Sequence, residues 1–414
     1  MKKILLTITA LIISYNPIFS CTIFNATHDD ITLIGNNEDW TIQEAYIKCA
    51  PREDNQYGRI TFGFGDDCQY PFGGINDQGL FYEIASLTRR NDIRFDPNKE
   101  TIDNPIYEKV LETCASIEEA IDLIKQYNVT GFMRHHIMVV DRSGASATIE
   151  WGRDSLSVIR KNNHYQVMTN FNNTDPSLAG GYPCFRYMNA ERKLDNLEDI
   201  TVEDFRLILQ SVHNSGPDYP TIYSNIYDLK NRLIYVYYLH NFEEYTIIDI
   251  EDELKKEEHT HYLPSLFSYL KLHEPAMDAS VSYTSVELVW EGNADRYHVY
   301  CSQNPDFENC QPLEINEPLS AGDEEETVFA CIMWIPFLAI VYWKRKGIPA
   351  IAATVLSGSL LFSCSPRIRM PETTEHSYVL SGLEQNTTYY WKIVAHQNMN
   401  HSSTSIIKTF QTDH

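Results

Sequence analysis

Residues 21–262 consist largely of short segments in which apolar and polar residues alternate. This pattern restricts this part of the chain to a sheet-rich fold. Alternation with a period of two predicts half-buried strands, which polar turns separate. Cys21 to Trp40 predicts a hairpin around a turn at Thr27–Asp30. Two helices with capping residues at Ser116 and Thr201 interrupt the strands. Many antiparallel strands with few helices predict an α+β fold of stacked sheets flanked by helices. Further strands are predicted at Ile60–Phe64, Gly79–Leu87, His136–Asp141, Ala147–Trp151, Leu156–Arg160, Gln166–Asn170, Ser224–Tyr238 and Tyr245–Ile250.

The start of the chain has the pattern of a removable secretory signal. Lys2 and Lys3 precede an apolar run, and Ser20 is a small residue of the kind that signal peptidase accepts. Cleavage after Ser20 would export the protein and make Cys21 its first residue. The net charge of −24 argues against a nucleic-acid partner, because binding phosphate requires a basic face.

An N-terminal Cys21 would carry a nucleophilic thiol and an α-amine that can act as its base. Two alternatives stay open: an ordinary structural cysteine, or a lipidated one whose acylated amine could not accept a proton. Nine cysteines is an odd number, which fits an unpaired thiol. No CxxC or Cys/His spacing indicates a metal site. We therefore expect neither a metal nor a cofactor.

Three polar residues could complete a site around such a thiol. Asp39 ends the return strand of the first hairpin, where it could hold the amine, although a turn-capping role is the alternative. Asn170 ends a strand and could donate to an oxyanion. Arg186 opens a helix, where it could lower the thiol pKa or simply form an exposed salt bridge.

Five segments in this order resemble the choloylglycine hydrolase family: Cys21-Thr22, Gly35–Asp39, Gly74–Leu80, Met168–Asn170 and Arg186. This family of linear-amide hydrolases belongs to the N-terminal-nucleophile class and includes penicillin V acylases and bile-salt hydrolases. The resemblance implies an αββα fold and a cysteine that is both nucleophile and base. It also implies that Asp39 positions the amine, Asn170 donates to the oxyanion and Arg186 lies against the thiol.

The sequence departs from the family pattern at two positions. Asn36 stands where the family usually has arginine, and Ser86 stands where a second asparagine is expected. We assign Asn36, its neighbour Asn37 and Ser86 to substrate binding. Aromatic residues, among them Tyr82 and Phe171, suggest an apolar acyl pocket, although core packing explains them as well.

The composition changes after residue 262. Residues 263–275 are interpreted as a linker, and residues 276–412 resemble a fibronectin type III β-sandwich with Trp290 in its core and Tyr389 as the corner tyrosine. An insertion at 327–364 contains two uncharged runs around the basic loop Lys344–Lys346, which predicts a transmembrane helical hairpin. A buried hairpin within a larger soluble domain is the alternative.

Together these features predict an exported, membrane-associated enzyme whose catalytic domain faces the extracytoplasmic side. Its substrate would be a small N-acyl amide, cleaved through a thioester on Cys21. One alternative is an acyltransferase of the acyl-CoA:6-aminopenicillanate type. The other is a non-enzymatic surface lipoprotein that binds a ligand and is lipidated at Cys21.

Overall fold

The computed structural model describes residues 21–103, 105–178, 180–216, 219–316, 371, 373–397 and 401–414. The predicted signal sequence (1–20) and the predicted apolar hairpin (327–364) lie outside these residues. Within the described residues, no helix has both the length and the apolar character needed to cross a bilayer.

The first part of the chain contains most of the secondary structure, including all five described helices. Its elements are β1 (Thr22–His28), β2 (Ile31–Asp39), β3 (Ala45–Ala50), β4 (Arg59–Phe64), β5 (Tyr70–Asn76), β6 (Phe81–Ser86), β7 (Thr101–Ile102), α1 (Pro105–Thr113), α2 (Ile117–Lys125), β8 (Asn128–Val129), β9 (His135–Val140), β10 (Ser146–Trp151), β11 (Leu156–Arg160), β12 (Tyr165–Met168), α3 (Phe185–Asp195), α4 (Val202–Val212), β13 (Thr221–Asp228), β14 (Leu233–Tyr238), β15 (Asn241–Asp249), α5 (Ile250–Glu253) and β16 (His259–Tyr262). Short 3₁₀ turns occur at Asp66–Cys68, Thr130–Met133 and Leu263–Leu266.

The remaining described part is all strand. Its elements are β17 (Lys271–Glu274), β18 (Ala279–Val281), β19 (Ser285–Gly292), β20 (Arg296–Ser302), β21 (Leu313–Asn316), β22 (Thr374–Ser381), β23 (Thr388–Gln397), β24 (His401–Ser405) and β25 (Lys408–Thr412). The first of these, β17, lies inside the segment that the sequence predicts as a linker.

Two large sheets stack face to face between two layers of helices. Sheet I has the order β12-β1-β2-β13-β14-β15, and sheet II has the order β11-β10-β9-β6-β5-β4-β3-β16. Adjacent residues of β2 demonstrate the layering: Ile34 packs between the sheets, whereas Leu33 packs against α3 and α4. Helices α1 and α2 cover the other face of sheet II. Successive residues along a strand thus pack into two different cores. The predicted α+β class is confirmed.

The structure contains the predicted first hairpin and the two predicted helix caps. Strands β1 and β2 pair from Thr22↔Asn37 to His28↔Ile31. Ser116 and Thr201 cap α2 and α4 by accepting backbone N–H groups three residues on.

The single strand predicted at Ser224–Tyr238 is wrong, because a turn divides it into β13 and β14. Asp228 accepts the backbone N–H of Asn231 at 2.9 Å, and Arg232 has a φ of 59°, in the left-handed region. Apart from the buried Leu229, the sequence in between is polar, and it has no glycine or proline to mark the turn.

The second part of the chain forms a β-sandwich. Strands β17, β19 and β22 form one sheet, and β18, β25, β23, β20 and β21 pair in the other. Trp290 and Trp391 are fully buried between them. The hydroxyl of Tyr389 accepts the backbone N–H of Glu384 at 3.0 Å, as a corner tyrosine does. Kinship with fibronectin type III domains stays a prediction. Strand β24 pairs with β15, so sheet I continues into the sandwich.

Candidate active site

Cys21 directly precedes β1, and its side chain lies between the two sheets. The residue is 4% exposed and belongs to the apolar core that the sheets share. Its thiol donates to Oε1 of Glu38 at 3.4 Å. In the 414-residue chain Cys21 is joined to Ser20 by a peptide bond, so an amine forms there only after cleavage.

Arg186, in the first turn of α3, connects Cys21 to the end of β12. One guanidinium nitrogen donates to the carbonyl oxygen of Cys21 at 2.5 Å and to Oγ1 of Thr22 at 2.7 Å. The other donates to Oδ1 of Asn170 at 2.9 Å. A planar guanidinium holds such partners in a fixed fork. These hydrogen bonds place the guanidinium of Arg186 against the backbone of Cys21.

Asn170 follows β12 and faces the end of β6. Its amide nitrogen donates to the backbone carbonyl of Ser86 at 2.9 Å. An amide NH₂ group has two hydrogens, so the second is available for a substrate oxygen. Ser86, which the sequence analysis assigns to substrate binding, contributes its backbone carbonyl to this network.

Asp39 ends β2 on the nitrogen side of Cys21, because the hairpin register pairs Thr22 with Asn37. The carboxylate of Asp39 accepts a short hydrogen bond from the hydroxyl of Thr221 on β13. This bond fixes a buried carboxylate close to where the amine of a cleaved chain would lie.

The remaining predicted residues divide between the site and the surrounding layers. Asn36 points between the sheets and donates to Glu83 at 3.1 Å. Asn37 lies on the opposite face of β2, where it donates to the carbonyl of Leu209 in α4 at 3.0 Å, so the structure does not place it beside Cys21. Strand alternation likewise puts Tyr82 under α1 and not between the sheets.

Phe171 is buried directly after Asn170. Its ring centroid lies 5.1 Å from that of Tyr182 and 5.0 Å from that of Tyr187. This aromatic group borders the loop that leads into α3, next to the site.

Two buried carboxyl groups that the sequence reasoning did not single out face the same space. Burial raises the pKa of Glu38 well above its ordinary value, and the charges of Glu83 and Asp39 raise it further. Burial also raises the pKa of Glu83. The sequence did contain a signal for this pair, because Glu38 in β2 and Glu83 in β6 are charged residues at strand positions that face inward. In β6 the neighbours of Glu83 are apolar. Because burial and like charge disfavour the ionised form, such a pair keeps a proton at a pH at which a single exposed carboxyl has already lost its own.

The carboxyl groups act on the thiol as well. Burial raises the pKa of Cys21 well above its ordinary value, and the charges of Glu38 and Asp39 raise it further, against a backbone hydrogen bond from Asp39 that lowers it. The thiol of the uncleaved chain is therefore held in its protonated form at neutral pH.

Comparison with family models defines the class of protein. Residues 23–179 match the linear amide C-N hydrolases, choloylglycine hydrolase family. The protein is therefore a hydrolase that acts on linear amides. The matched segment begins two residues after Cys21, includes Asp39 and Asn170, and ends before Arg186.

Among solved structures, the chain is similar to a conjugated bile acid hydrolase from Clostridium perfringens, with 18% identity and a TM-score of 0.44 over 58% of this chain and 96% of that one. It is also similar to a penicillin V acylase from Agrobacterium tumefaciens, with 16% identity and a TM-score of 0.48 over 59% of this chain and 91% of that one. A comparison with curated proteins found no match.

Proposed function

We propose that the protein is an exported amidase that cleaves linear N-acyl amides with Cys21 as its nucleophile. One observation carries the proposal: the guanidinium of Arg186 bonds both the carbonyl of Cys21 and the amide of Asn170. This fork sets a candidate nucleophile and a candidate oxyanion donor in one fixed arrangement beside the space between the sheets. The match to linear amide hydrolases supplies the reaction type.

The chemistry begins with cleavage after Ser20. The thiol of Cys21 gives its proton to the new α-amine, and the sulfur attacks the substrate carbonyl. Asn170 donates to the resulting oxyanion. When the C–N bond breaks, the protonated α-amine returns a proton to the leaving amine, and a thioester remains on Cys21. Water then attacks the thioester and transfers a proton to the α-amine. The C–S bond breaks, the carboxylic acid is released, and the α-ammonium returns its proton to the thiolate of Cys21.

Cleavage also changes the electrostatics of the site. Glu38 and Asp39 raise the pKa of the thiol, so the precursor is a weak nucleophile. Once the new α-amine has accepted the thiol proton, its positive charge lies on the same residue, and a nearby opposite charge favours the thiolate. Asp39 would hold that ammonium, because its carboxylate is already fixed by Thr221. Processing would therefore both create the base and lower the thiol pKa.

Two segments of the sequence support a location for the protein. The signal pattern at 1–20 supports export, and the apolar hairpin at 327–364 supports attachment to a membrane with the catalytic part outside the cytoplasm. The substrate would be a small N-acyl amide with an apolar acyl group, because aromatic Phe171 directly follows Asn170 and packs against Tyr187.

A panel of N-acyl amides tests the proposal. Purified, processed protein is incubated with bile-salt conjugates, penicillin V and fatty-acyl amides, and the released amine is measured. We expect hydrolysis of at least one substrate, lost in Cys21→Ser and retained in Cys114→Ser, which changes a buried cysteine of the α1–α2 core. Activity retained in Cys21→Ser, or a mature chain that begins at another residue, contradicts the proposal. A second arm adds a competing amine, and an acylated amine as the main product would favour acyl transfer over hydrolysis.

A further inference from the structure

Four potential metal ligands from three separate elements converge at the edge of sheet II. They are Cys49 of β3, Glu253 of α5, and His259 and His261 of β16. One ligand atom from each residue lies within 4.8 Å of the others. We propose that this cluster binds a zinc ion as a structural site.

The backbone explains why these residues meet. Strand β16 runs antiparallel to β3, and the register places His259 opposite Cys49. His259 and His261 are two residues apart, so both side chains point to the same face of the strand. Glu253 ends the short helix α5 that precedes this strand. No spacing in the sequence marks the cluster, because Cys49 lies far from the other three residues along the chain.

The set of donor atoms matches zinc better than calcium or magnesium. One thiolate, two imidazoles and one carboxylate are ligands that zinc accepts in tetrahedral geometry, whereas the harder cations prefer oxygen alone. Bond lengths of about 2.0–2.3 Å imply ligand atoms about 3.3–3.8 Å apart in a tetrahedron. Separations of up to 4.8 Å in the cluster would have to close, and the 2.7 Å contact between His259 and Glu253 would have to open. Four protein ligands leave no open position, which is typical of a structural site.

The hydrogen bonds of His259 and His261 direct their Nε2 atoms toward the same carboxylate. Nδ1 of His259 lies 2.7 Å from the carbonyl oxygen of Glu257 and therefore carries a hydrogen. Nε2 of His259 faces Oε2 of Glu253 at 2.7 Å. Nε2 of His261 approaches the same oxygen at 3.1 Å. The Nε2 atoms of both rings therefore converge on one carboxylate oxygen of Glu253, while the other oxygen accepts from Nζ of Lys256 at 2.8 Å. The bond from Nδ1 to a carbonyl is also the usual outer support of a metal-bound histidine.

The surroundings suit a metal that stabilises the fold. Cys49 is fully buried, and the side chains of Glu253 and His261 are each 12% exposed. The ion would join β3, near the start of the chain, to the segment that leads into the β-sandwich. On binding, the thiol of Cys49 gives its proton to solvent, so affinity should rise with pH.

Metal titration of the full processed protein tests the proposal. The experiment uses Cys21→Ser as the parent, so that zinc held by the candidate nucleophile does not count. Protein stripped by a chelator is titrated with Zn²⁺ in competition with a chromophoric chelator. We expect one ion per chain, and we expect Cys49→Ser and His261→Asn each to weaken binding by more than the roughly 100-fold that loss of an outer support costs. Cys114→Ser is the matched control and should bind as the parent does.

A second readout identifies the ligands. Co²⁺ bound in place of zinc should give a sulfur-to-metal charge-transfer absorption that Cys49→Ser abolishes and Cys114→Ser keeps. His261→Asn changes a partly accessible residue and keeps the test valid if Cys49→Ser does not fold. Zinc should also raise the melting temperature of the parent but not that of the Cys49 or His261 variant. Substoichiometric zinc, or binding that neither variant weakens, overturns the proposal.

Discussion

Glu244 makes the stability of the protein depend on pH at the point where sheet I passes into the β-sandwich. Its buried carboxylate accepts the backbone N–H groups of Ser268 at 2.6 Å and Leu270 at 2.8 Å. Burial nevertheless raises its pKa from 4.5 to about 7. Because the folded state then binds this proton more tightly than the unfolded state, the contribution of Glu244 to stability decreases as the pH rises from about 4.5 to 7.

The magnitude follows from the shift in pKa. A change from 4.5 to about 7 corresponds to about 3.4 kcal/mol in total, at about 1.36 kcal/mol for each pH unit. Integration over the titration places about 2.5 kcal/mol of this loss between pH 5 and pH 8. Glu244→Gln removes the ionisation. The amide also disturbs the two backbone hydrogen bonds, but that cost is the same at every pH.

Urea unfolding at pH 5 and pH 8 measures the effect, with the fluorescence of Trp290 and Trp391 as a probe in the adjoining sandwich. Between the two pH values, we expect the wild type to lose about 2.5 kcal/mol more free energy of unfolding than Glu244→Gln does. Other buried carboxyl groups, such as Glu38, occur in both proteins and cancel. Glu287→Gln, at an exposed position of β19, is the control and should follow the wild type. Equal pH dependence in the wild type and Glu244→Gln would refute this reasoning.

Three further predictions concern the site between the sheets. Arg186→Ala and Arg186→Lys should both lower kcat/KM by about 100-fold or more in steady-state assays, because neither side chain can form the fork; near-wild-type rates in both would argue against an orienting role. Glu38→Gln should move the pH midpoint of iodoacetamide reaction with Cys21 to lower pH, since it removes a charge that raises the thiol pKa; an unchanged midpoint would contradict that cause. Gly73→Ala should lower the free energy of unfolding in urea by about 1–3 kcal/mol, because a Cβ would lie 2.0 Å from Oε2 of Glu83. Combining it with Glu83→Ala should relieve part of this cost. A Gly73→Ala protein as stable as the wild type would exclude the contact.

Local signals in the sequence were sufficient for much of the fold. The alternation on both sides of Thr27–Asp30 predicted the β1–β2 hairpin, and the capping residues Ser116 and Thr201 marked the starts of two helices. These features depend on residues close together in the chain. The turn between β13 and β14 was missed because side-chain hydrogen bonding by Asp228, and not glycine or proline, forms it.

The sequence predicts the members of the site, but it does not predict the contacts between them. Arg186 was expected near the thiol, yet its partners are the carbonyl of Cys21 and the side chain of Asn170, which only the packing of α3 against β1 determines. Glu38 was overlooked because a charged residue in a strand is usually exposed, whereas here both faces of β2 are covered. The zinc ligands join distant segments, so no local pattern could indicate them.

Trapping the acyl-enzyme tests the central claim most directly. Processed protein is mixed with an N-acyl amide that it hydrolyses, quenched in acid and digested, and the N-terminal peptide is measured by mass spectrometry. We predict a peptide that begins at Cys21 and carries the mass of the acyl group as a hydroxylamine-sensitive thioester. An N-terminal peptide whose amine is already acylated before the substrate is added, or an acyl group on any residue other than Cys21, would contradict the account.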